Sequence, residues 1–374
     1  MDVGVIGAGA MGRNHARVYS ELKKVDSLYI YDTDEKAAGE VASKNEGIAT
    51  SSLDELLGKV DAVSLCVPTP YHFDVAKEIF SADVGTDVLI EKPICHNSEA
   101  ARELISLIPG HGNSDGDDSI CGNYYRNSDN DDCSINDTGN LRGPVVGVGH
   151  IERFNPIIKE IKEIIRDPLY VEIKRHNPAS ARVTGSSVVE DLMIHDIDIV
   201  LHSLFGQPDR IEAFGTFDVC SLMMQYDSGH NLQSAQVGGM QSMQGIRGGM
   251  QGVHEQDDAY TYPLHNTPVY LSASRKSSRK IRTIHIEEEE FTLQGDFMTQ
   301  ELYIYWKPEN YQIEAERYYQ ENIIEKVMVG KIEPLKTELS LFLECSEKRK
   351  PFPVTPEEGL GNLLFAEKVN RVIS

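Results

Sequence analysis

A lysine stands directly after a short apolar run in the stretch VLIEKPICHN, residues 88–97. The first three residues predict a buried strand, and Glu91, Lys92 and Pro93 follow it without a spacer. If this strand belongs to an open parallel sheet, Lys92 lies at a carboxyl end, where such sheets bind their ligands. A cation there can hydrogen-bond a substrate hydroxyl and stabilise the oxyanion that forms when an alcohol is oxidised. The alternative is a lysine that reaches along the surface and pairs with Glu91.

Two aspartate–histidine pairs lie in the segment EDLMIHDIDIVLH, at Asp191 and His195 and again at Asp198 and His202. Residues four apart share one face of an α-helix, so the members of each pair can act together. A histidine titrates near neutrality and suits a general base, with Asp191 orienting it or binding a neighbouring substrate hydroxyl. Two alternatives stay open: a core histidine capped by a carboxylate, and a metal site built from all four residues.

A glycine-rich turn follows the first predicted strand and opens a helix in VGVIGAGAMGRNHARVY. Gly7, Gly9 and Gly12 permit a tight turn, a close backbone approach to a pyrophosphate, and packing of helix on strand. The phosphates would sit at the amino terminus of that helix, beside Met11, which we also assign to the cofactor site. Asp32 ends the second strand twenty residues after Gly12, which is the spacing of a carboxylate that binds the adenine ribose.

The same aspartate selects between the two nicotinamide cofactors. A carboxylate at Asp32 repels the 2′-phosphate of NADP, and the next two residues offer no arginine to neutralise that phosphate. The predicted cofactor is therefore NAD. Because hydride transfer to a nicotinamide needs no metal, we expect no metal site.

The elements that must position these residues change character along the chain. The first half alternates apolar strands with helices, which predicts a doubly wound parallel sheet covered on both faces, a Rossmann domain over residues 1–149. The second half has strands of period two together with helices, which predicts an α+β domain over 150–374 on a large, mostly antiparallel open sheet. An acidic insertion at 110–143 and a Gly/Gln/Met-rich insertion at 233–263 interrupt the pattern, and we expect both to be mobile surface segments.

Composition excludes several classes of function. The chain has 374 residues and a formal net charge of −23, which argues against binding nucleic acid or an anionic membrane. We find no signal peptide and no apolar run of membrane-spanning length. The six cysteines are scattered, as in a cytoplasmic protein with reduced thiols, although Cys121 and Cys133 share one polar segment and could pair.

The motifs GAGAMG, EKP and DLMIHDID together resemble the Gfo/Idh/MocA oxidoreductases, which are NAD(P)-dependent dehydrogenases of sugars, inositols and nucleotide sugars. The resemblance implies catalytic roles for Lys92, Asp191 and His195. It also implies an amino-terminal Rossmann domain and a second domain whose open sheet often forms the oligomer interface, hence a homo-oligomer, a dimer or a tetramer.

Further cofactor contacts follow from the resemblance alone. Thr69, Pro70 and His72 in VPTPYHFDVA resemble the loop beside the nicotinamide, and Glu91 and Lys92 complete the predicted cofactor site. In the EKP motif of this family the proline is often reached through a cis peptide bond.

The segment VGHIERFNP, residues 148–156, is similar to that of UDP-N-acetylglucosamine 3-dehydrogenases and related UDP-sugar dehydrogenases. We therefore expect a UDP-N-acetylhexosamine oxidised at C3, with Arg153 and Asn155 on the substrate side. Arg153, Arg175 and Arg182 could grip the diphosphate, although Arg153 could equally form an interdomain salt bridge. Two other functions stay open: a dehydrogenase of myo-inositol or another free polyol or sugar, and a non-catalytic NAD-binding regulator.

Overall fold

Two sheets and the helices packed on them make up the part of the chain that the computed structural model describes. The described residues are 1–82, 84–110, 141, 143–178, 185–227, 266–308, 311–314, 317–320 and 322–373. The predictions for the two insertions, for a Cys121–Cys133 pair and for Arg182 lie outside them.

The amino-terminal sheet has six strands in the order β3-β2-β1-β4-β5-β6, and every neighbouring pair is parallel. The strands are β1 (Asp2–Ile6), β2 (Ser27–Tyr31), β3 (Ile48–Ala49), β4 (Ala62–Leu65), β5 (Asp87–Glu91) and β6 (Val146–Gly149). The helices are α1 (Ala10–Glu21), α2 (Glu35–Lys44), α3 (Leu53–Leu57), α4 (His72–Ser81) and α5 (Ser98–Ser106). This is the Rossmann strand order, with the crevice between β1 and β4 at the carboxyl edge. The predicted doubly wound parallel sheet is confirmed.

Side-chain caps set where the helices of this sheet begin. The Asp34 carboxylate accepts hydrogen bonds from two backbone amides at the start of α2. Ser52 Oγ accepts from Glu55 N at 3.1 Å, and the Glu55 carboxylate reaches back to Ser51 N at 2.8 Å. Asn97 Oδ1 accepts from Ala100 N at 2.8 Å at the start of α5. The caps satisfy amides that lack a partner within the helix, which fixes the loops at its end.

The second sheet has eight strands in the order β16-β13-β12-β11-β7-β10-β9-β8, and only β7 and β10 are parallel neighbours. The strands of this half are β7 (Tyr170–His176), β8 (Arg210–Thr216), β9 (Val219–Tyr226), β10 (Thr267–Ser274), β11 (Ile281–Glu287), β12 (Phe291–Asp296), β13 (Glu301–Trp306), β14 (Tyr311–Glu314), β15 (Arg317–Gln320) and β16 (Ile324–Val327), of which β14 and β15 form a separate pair. The helices are α6 (Pro156–Ile164), α7 (Ile194–Asp198), α8 (Pro334–Lys348) and α9 (Pro356–Ile373). The predicted large, mostly antiparallel sheet is confirmed.

Three details of this half differ from the sequence-based expectation. The segment KIRTIHIEEEEFTLQG, whose alternation resembles one strand, forms the hairpin of β11 and β12, and Glu288 N donates to the Phe291 carbonyl oxygen at 2.8 Å to close the turn. β7 and β8 were not predicted, since β7 has the charged Arg175 at a buried position and β8 has Phe214 at an exposed one. The predicted long helix around His195 contains π-helical turns at Val189–Met193 and Ile199–Leu204 on either side of α7.

The carboxy-terminal helices join the two halves. Leu339 and Phe342 of α8 are buried in the core of the parallel sheet, whereas α9 contributes Leu363 to that core and Val369 to the core of the second sheet. The domain boundary near residue 149 therefore stays a proposal, with α8 folding back onto the first domain. Among the described residues no helix is long and apolar enough to cross a membrane.

Candidate active site

The glycine turn has the shape of a dinucleotide cradle. Gly7 has φ +100°, a backbone conformation that disfavours other residues. A Cβ on Gly12 would lie 1.7 Å from the Gly7 carbonyl oxygen, so helix α1 can pack this closely only with glycine there. A Cβ on Gly9 would meet no atom within 4 Å, so open space lies beside the backbone where a pyrophosphate would approach. No side chain caps the amino terminus of α1, and its amides stay available to an anion.

Asp32 closes the other side of this cradle. Its Oδ2 accepts a hydrogen bond from Ala8 N at 2.6 Å and its Oδ1 accepts one from Asp34 N at 2.9 Å. A carboxylate offers about four lone-pair positions, so two remain for the hydroxyls of a ribose. The half-exposed Asp32 side chain is thus held by the backbone in a fixed orientation. The residues present fit an NAD molecule whose adenosine lies over β2.

The loops after β4 and β5 are tied together by a buried imidazole. Thr69 lies in a 3-10 turn after β4, next to the exposed Pro70. The His72 ring is 2.9 Å from the Val67 carbonyl oxygen through Nε2 and 2.9 Å from the Pro93 carbonyl oxygen through Nδ1. Because His72 is buried, it positions the two loops and does not itself face the crevice.

The Lys92–Pro93 peptide bond is cis, as the resemblance implied. The preceding Glu91 does not pair with the lysine side chain: its Oε1 lies 2.9 Å from His15 Nε2 inside the first core. Burial opposes ionisation of Glu91, but the bond to His15 and the charge on Lys92 hold its pKa below the usual range. Glu91 therefore anchors the end of β5 to α1, and Lys92 is left to reach across the crevice.

Lys92 Nζ donates to the backbone oxygen of Asp191 at 2.6 Å and lies 3.9 Å from Asp191 Oδ1. Burial lowers the pKa of Lys92, and the neighbouring Arg175 lowers it further, while Asp191 and Glu91 oppose the shift. This contact brings the two halves of the chain together at the carboxyl end of β5. Lys92 and the Asp191–His195 segment, to which the resemblance implied catalytic roles, thus lie side by side.

His195 lies beside this lysine in α7. Burial and the positive charges of Lys92 and Arg175 hold the pKa of His195 well below its ordinary value, so the ring is neutral at pH 7. Its buried Nδ1 has no hydrogen-bond partner among the described residues. A neutral imidazole with an unpartnered nitrogen can accept a proton, which is the property that a general base needs.

Asp191 lies against cations and not against the histidine ring. Its Oδ2 is 3.8 Å from Arg275 Nη1, and within the described chain no hydrogen bond or ion pair joins Asp191 to His195. The π-helical turn Val189–Met193 shifts the carboxylate off the α-helical register on which the predicted pairing depended. Of the two predicted roles, orientation of His195 is therefore not seen, and a place beside the substrate remains.

Arg153 and Asn155, which were predicted to lie on the substrate side, instead make contacts within the protein. Arg153 Nε donates to Asp198 Oδ2 at 2.9 Å, and other guanidinium donors bind Asp198, Glu358 and the Pro353 carbonyl oxygen. Asn155 is buried, caps α6 through Oδ1, and donates through Nδ2 to Glu152 and to the Phe297 carbonyl oxygen. Both residues fasten the chain that leaves β6.

A buried ion-pair network behind His195 was missed by the sequence reasoning. Arg175 is 1% exposed, and it donates to Asp196 Oδ1 at 2.9 and 2.7 Å and to Glu152 Oε1 at 2.8 Å. Arg282 Nη1 donates to the same Glu152 oxygen at 3.1 Å. Asp196 stands next to His195 in sequence, so the network fixes the backbone that carries the base. The alternating charges of YVEIKRH were the only sequence signal for it.

The metal alternative would need Asp191, His195, Asp198 and His202 to converge. Asp198 instead pairs with Arg153 and accepts from Asn362 Nδ2 at 2.7 Å, while Asp191 lies beside Lys92. In the described part of the chain, no group of three or more His, Cys, Asp or Glu residues is arranged to hold a metal ion.

The comparisons with known proteins agree with this geometry. Residues 1–114 match the family described as "Oxidoreductase family, NAD-binding Rossmann fold". This family is that of the Gfo/Idh/MocA oxidoreductases. The match confirms the predicted NAD-binding fold, and the structure supplies the cradle for it.

Dehydrogenases are among the relatives of this chain. It is 32% identical over 216 residues to UDP-N-acetylglucosamine 3-dehydrogenase of Acidithiobacillus ferrooxidans, covering 58% of each chain. It is 23% identical over 208 residues to an inositol 2-dehydrogenase of Corynebacterium glutamicum, covering 53% of this chain and 52% of that one. The matches thus span between half and three fifths of these curated relatives.

Solved structures share the whole fold. The crystallised UDP-N-acetylglucosamine 3-dehydrogenase GnnA of Acidithiobacillus ferrooxidans superposes with a TM-score of 0.70 at 24% identity, over 100% of this chain and 97% of that chain. A levoglucosan dehydrogenase in complex with NADH superposes with a TM-score of 0.65 at 14% identity, over 100% and 96% of the two chains. At these identities the likeness shows the fold alone.

Proposed function

We propose that this chain is an NAD-dependent dehydrogenase that oxidises the C3 hydroxyl of a UDP-N-acetylhexosamine to a ketone. The observation that carries the proposal is the contact of Lys92 with the Asp191–His195 segment at the edge of a dinucleotide cradle. The choice of substrate is supported by the relative named UDP-N-acetylglucosamine 3-dehydrogenase, at 32% identity.

A bound NAD supplies the acceptor for the hydride that leaves the carbinol carbon. The remaining steps belong to the protein. Neutral His195 takes the hydroxyl proton, because its lowered pKa keeps a ring nitrogen free at pH 7. Lys92, at the carboxyl end of β5, donates a hydrogen bond to the same oxygen while negative charge develops on it. Asp191 holds the ammonium group in place through its backbone oxygen and offers its carboxylate to a neighbouring sugar hydroxyl.

A second candidate is a dehydrogenase of a free polyol, because inositol 2-dehydrogenases are also among the relatives. The two candidates differ in whether the substrate carries a diphosphate. The regulator alternative is less well supported, since lysine, aspartate and histidine are all present and assembled. The oligomeric state and a cytoplasmic location stay predictions.

The test is a comparison of kcat/KM with NAD for UDP-N-acetylglucosamine, myo-inositol and free glucose. The proposal requires the nucleotide sugar to exceed both others, and it requires UDP alone to inhibit competitively. A preference for myo-inositol together with no inhibition by UDP would replace the first candidate with the second.

A further inference from the structure

The connection between β10 and β11 is strongly basic in an acidic protein. The segment RKSSRKIR, residues 275–282, carries five basic residues and no acidic one, whereas the whole chain has a net charge of −23. Two of the five have carboxylates nearby, because Arg275 and Lys276 both pair with Asp218 at 3.1 and 2.9 Å and Arg275 Nη1 also lies 3.8 Å from Asp191 Oδ2. Lys280 and Arg282, at the carboxyl side of the segment, do not pair with Asp218.

Arg282 stands at the edge of the candidate active site. It is the register partner of Arg175 in the β11–β7 pair, so the two side chains leave the sheet on the same face. Arg175 lies deep and reaches Asp196, the neighbour of His195, while the Arg282 side chain is 27% exposed. The path from Arg282 through Glu152 and Arg175 to the catalytic helix therefore consists of direct hydrogen bonds.

The guanidinium of Arg282 is poorly satisfied. It shares Glu152 Oε1 with Arg175, and its Nε is buried without a hydrogen-bond partner among the described residues. A guanidinium has five donors, and a buried donor left without a hydrogen bond is energetically unfavourable. Such a donor set can be satisfied by an oxyanion or by ordered water.

The local charge is also out of balance. Glu152 and Asp196 face three cations, which are Arg175, Arg282 and the exposed Lys280, and one positive charge is left over. This excess positive charge shifts the pKa values of the cations. Burial and the charge of Arg175 lower the pKa of Arg282, and the charge of Arg282 lowers the pKa of Lys280. An oxyanion bound between them would relieve this repulsion.

We propose that Arg282 and Lys280 form the subsite for the diphosphate of the substrate. The inference rests on the proposed function, and it moves the diphosphate from Arg153, whose donors are committed to Asp198 and Glu358, to the β10–β11 connection. Arg282 donates hydrogen bonds to one phosphate through the donors that Glu152 does not occupy. The exposed ammonium group of Lys280 attracts the second phosphate as a point charge. A free sugar or polyol gains nothing from these two residues.

The test measures the Kd of UDP by calorimetry in the presence of NAD, for the parent chain and for Arg282→Gln and Lys280→Gln. Loss of a charge-assisted hydrogen bond should weaken UDP binding about tenfold or more in Arg282→Gln. Lys280→Gln should weaken it about threefold and flatten its dependence on salt. The Kd of NAD should not change. Lys276→Gln is the matched control, because this lysine lies in the same connection but pairs with Asp218, and it should bind UDP like the parent.

The outcomes separate this inference from the proposed function. If the parent oxidises UDP-N-acetylglucosamine and all three variants bind UDP equally well, the subsite is wrong and the function stands. If the parent oxidises only myo-inositol but binds inorganic diphosphate, and Arg282→Gln and Lys280→Gln weaken that binding while Lys276→Gln does not, the subsite stands and the substrate is wrong. If the parent binds neither UDP nor diphosphate, the inference is overturned. Since Lys280 is exposed, its variant tests the idea even if Arg282→Gln fails to fold.

Discussion

Mild acid should destabilise the folded protein through His150, which follows β6 at the crevice. The ring is 1% exposed, its Nδ1 has no hydrogen-bond partner in the described part of the chain, and its Nε2 lies 3.3 Å from Asn362 Nδ2. Burial lowers the pKa of His150 to about 4, although Asp198 at 3.7 Å opposes the shift. In the unfolded chain the same group titrates near ~6.5.

The sign follows from where the protons bind. Between pH 6.5 and 4 the unfolded chain binds a proton on His150 that the folded chain does not bind. The free energy of unfolding therefore falls as the pH falls. One pKa unit corresponds to about 1.4 kcal/mol, so the full loss is about 3 kcal/mol, of which about 2 kcal/mol is reached at pH 5.

The assay is urea unfolding of the parent and His150→Gln at pH 7.5 and pH 5.0. Other titrating groups act in both proteins and cancel in the comparison. The parent should lose about 2 kcal/mol more than the variant between the two pH values. An equal loss in both proteins would refute the reasoning, since it would mean that His150 is protonated in the fold or reaches water.

Three further predictions concern the chemistry. Lys92→Met and His195→Ala should each lower kcat by roughly 10²–10⁴-fold in steady-state assays while the Kd of NAD stays unchanged, and near-full turnover of His195→Ala from pH 6 to 9 would remove that residue from the role of base. The pH profile of kcat should keep its acid limb below 6.5, because burial lowers the pKa of His195, and show an alkaline limb below 10.5, because burial lowers the pKa of Lys92; a single limb centred on 6.5 would contradict this. Asp32 should make NAD bind more tightly than NADP in a fluorescence titration, and equal affinities would show that the Ala8-bound carboxylate does not sense the 2′-phosphate.

The parts of the fold that local patterns encode were predictable. Glycines at 7 and 12 are required by backbone geometry, and that requirement can be read from their spacing. The caps at Ser52 and Asn97 depend on residues three positions away, so they too are visible in sequence. Lys92 was placed correctly because the carboxyl end of a parallel strand faces the crevice in every such sheet.

What failed depends on contacts between distant segments. Arg153 has the right charge and place for a phosphate, but Asp198 and Glu358, 45 and 205 residues away, occupy its donors. Asp191 and His195 have helical spacing, and the π-helical turn that separates their directions leaves no mark in the local pattern. Arg282 lies opposite Arg175 of β7 and donates to Glu152, which precedes α6. Its unsatisfied donors are therefore evident only once β7 and β11 are paired.

The most direct test of the central claim is product analysis after incubation with NAD and UDP-N-acetylglucosamine. NADH formed is measured by absorbance, and the sugar nucleotide is examined by mass spectrometry for the loss of two hydrogens. The account predicts one keto-sugar nucleotide for each NADH with the parent protein and neither product with Lys92→Met. Tight NAD binding without reduction in the presence of nucleotide sugars, inositols and free sugars would contradict it, and would show a cofactor-binding protein without turnover.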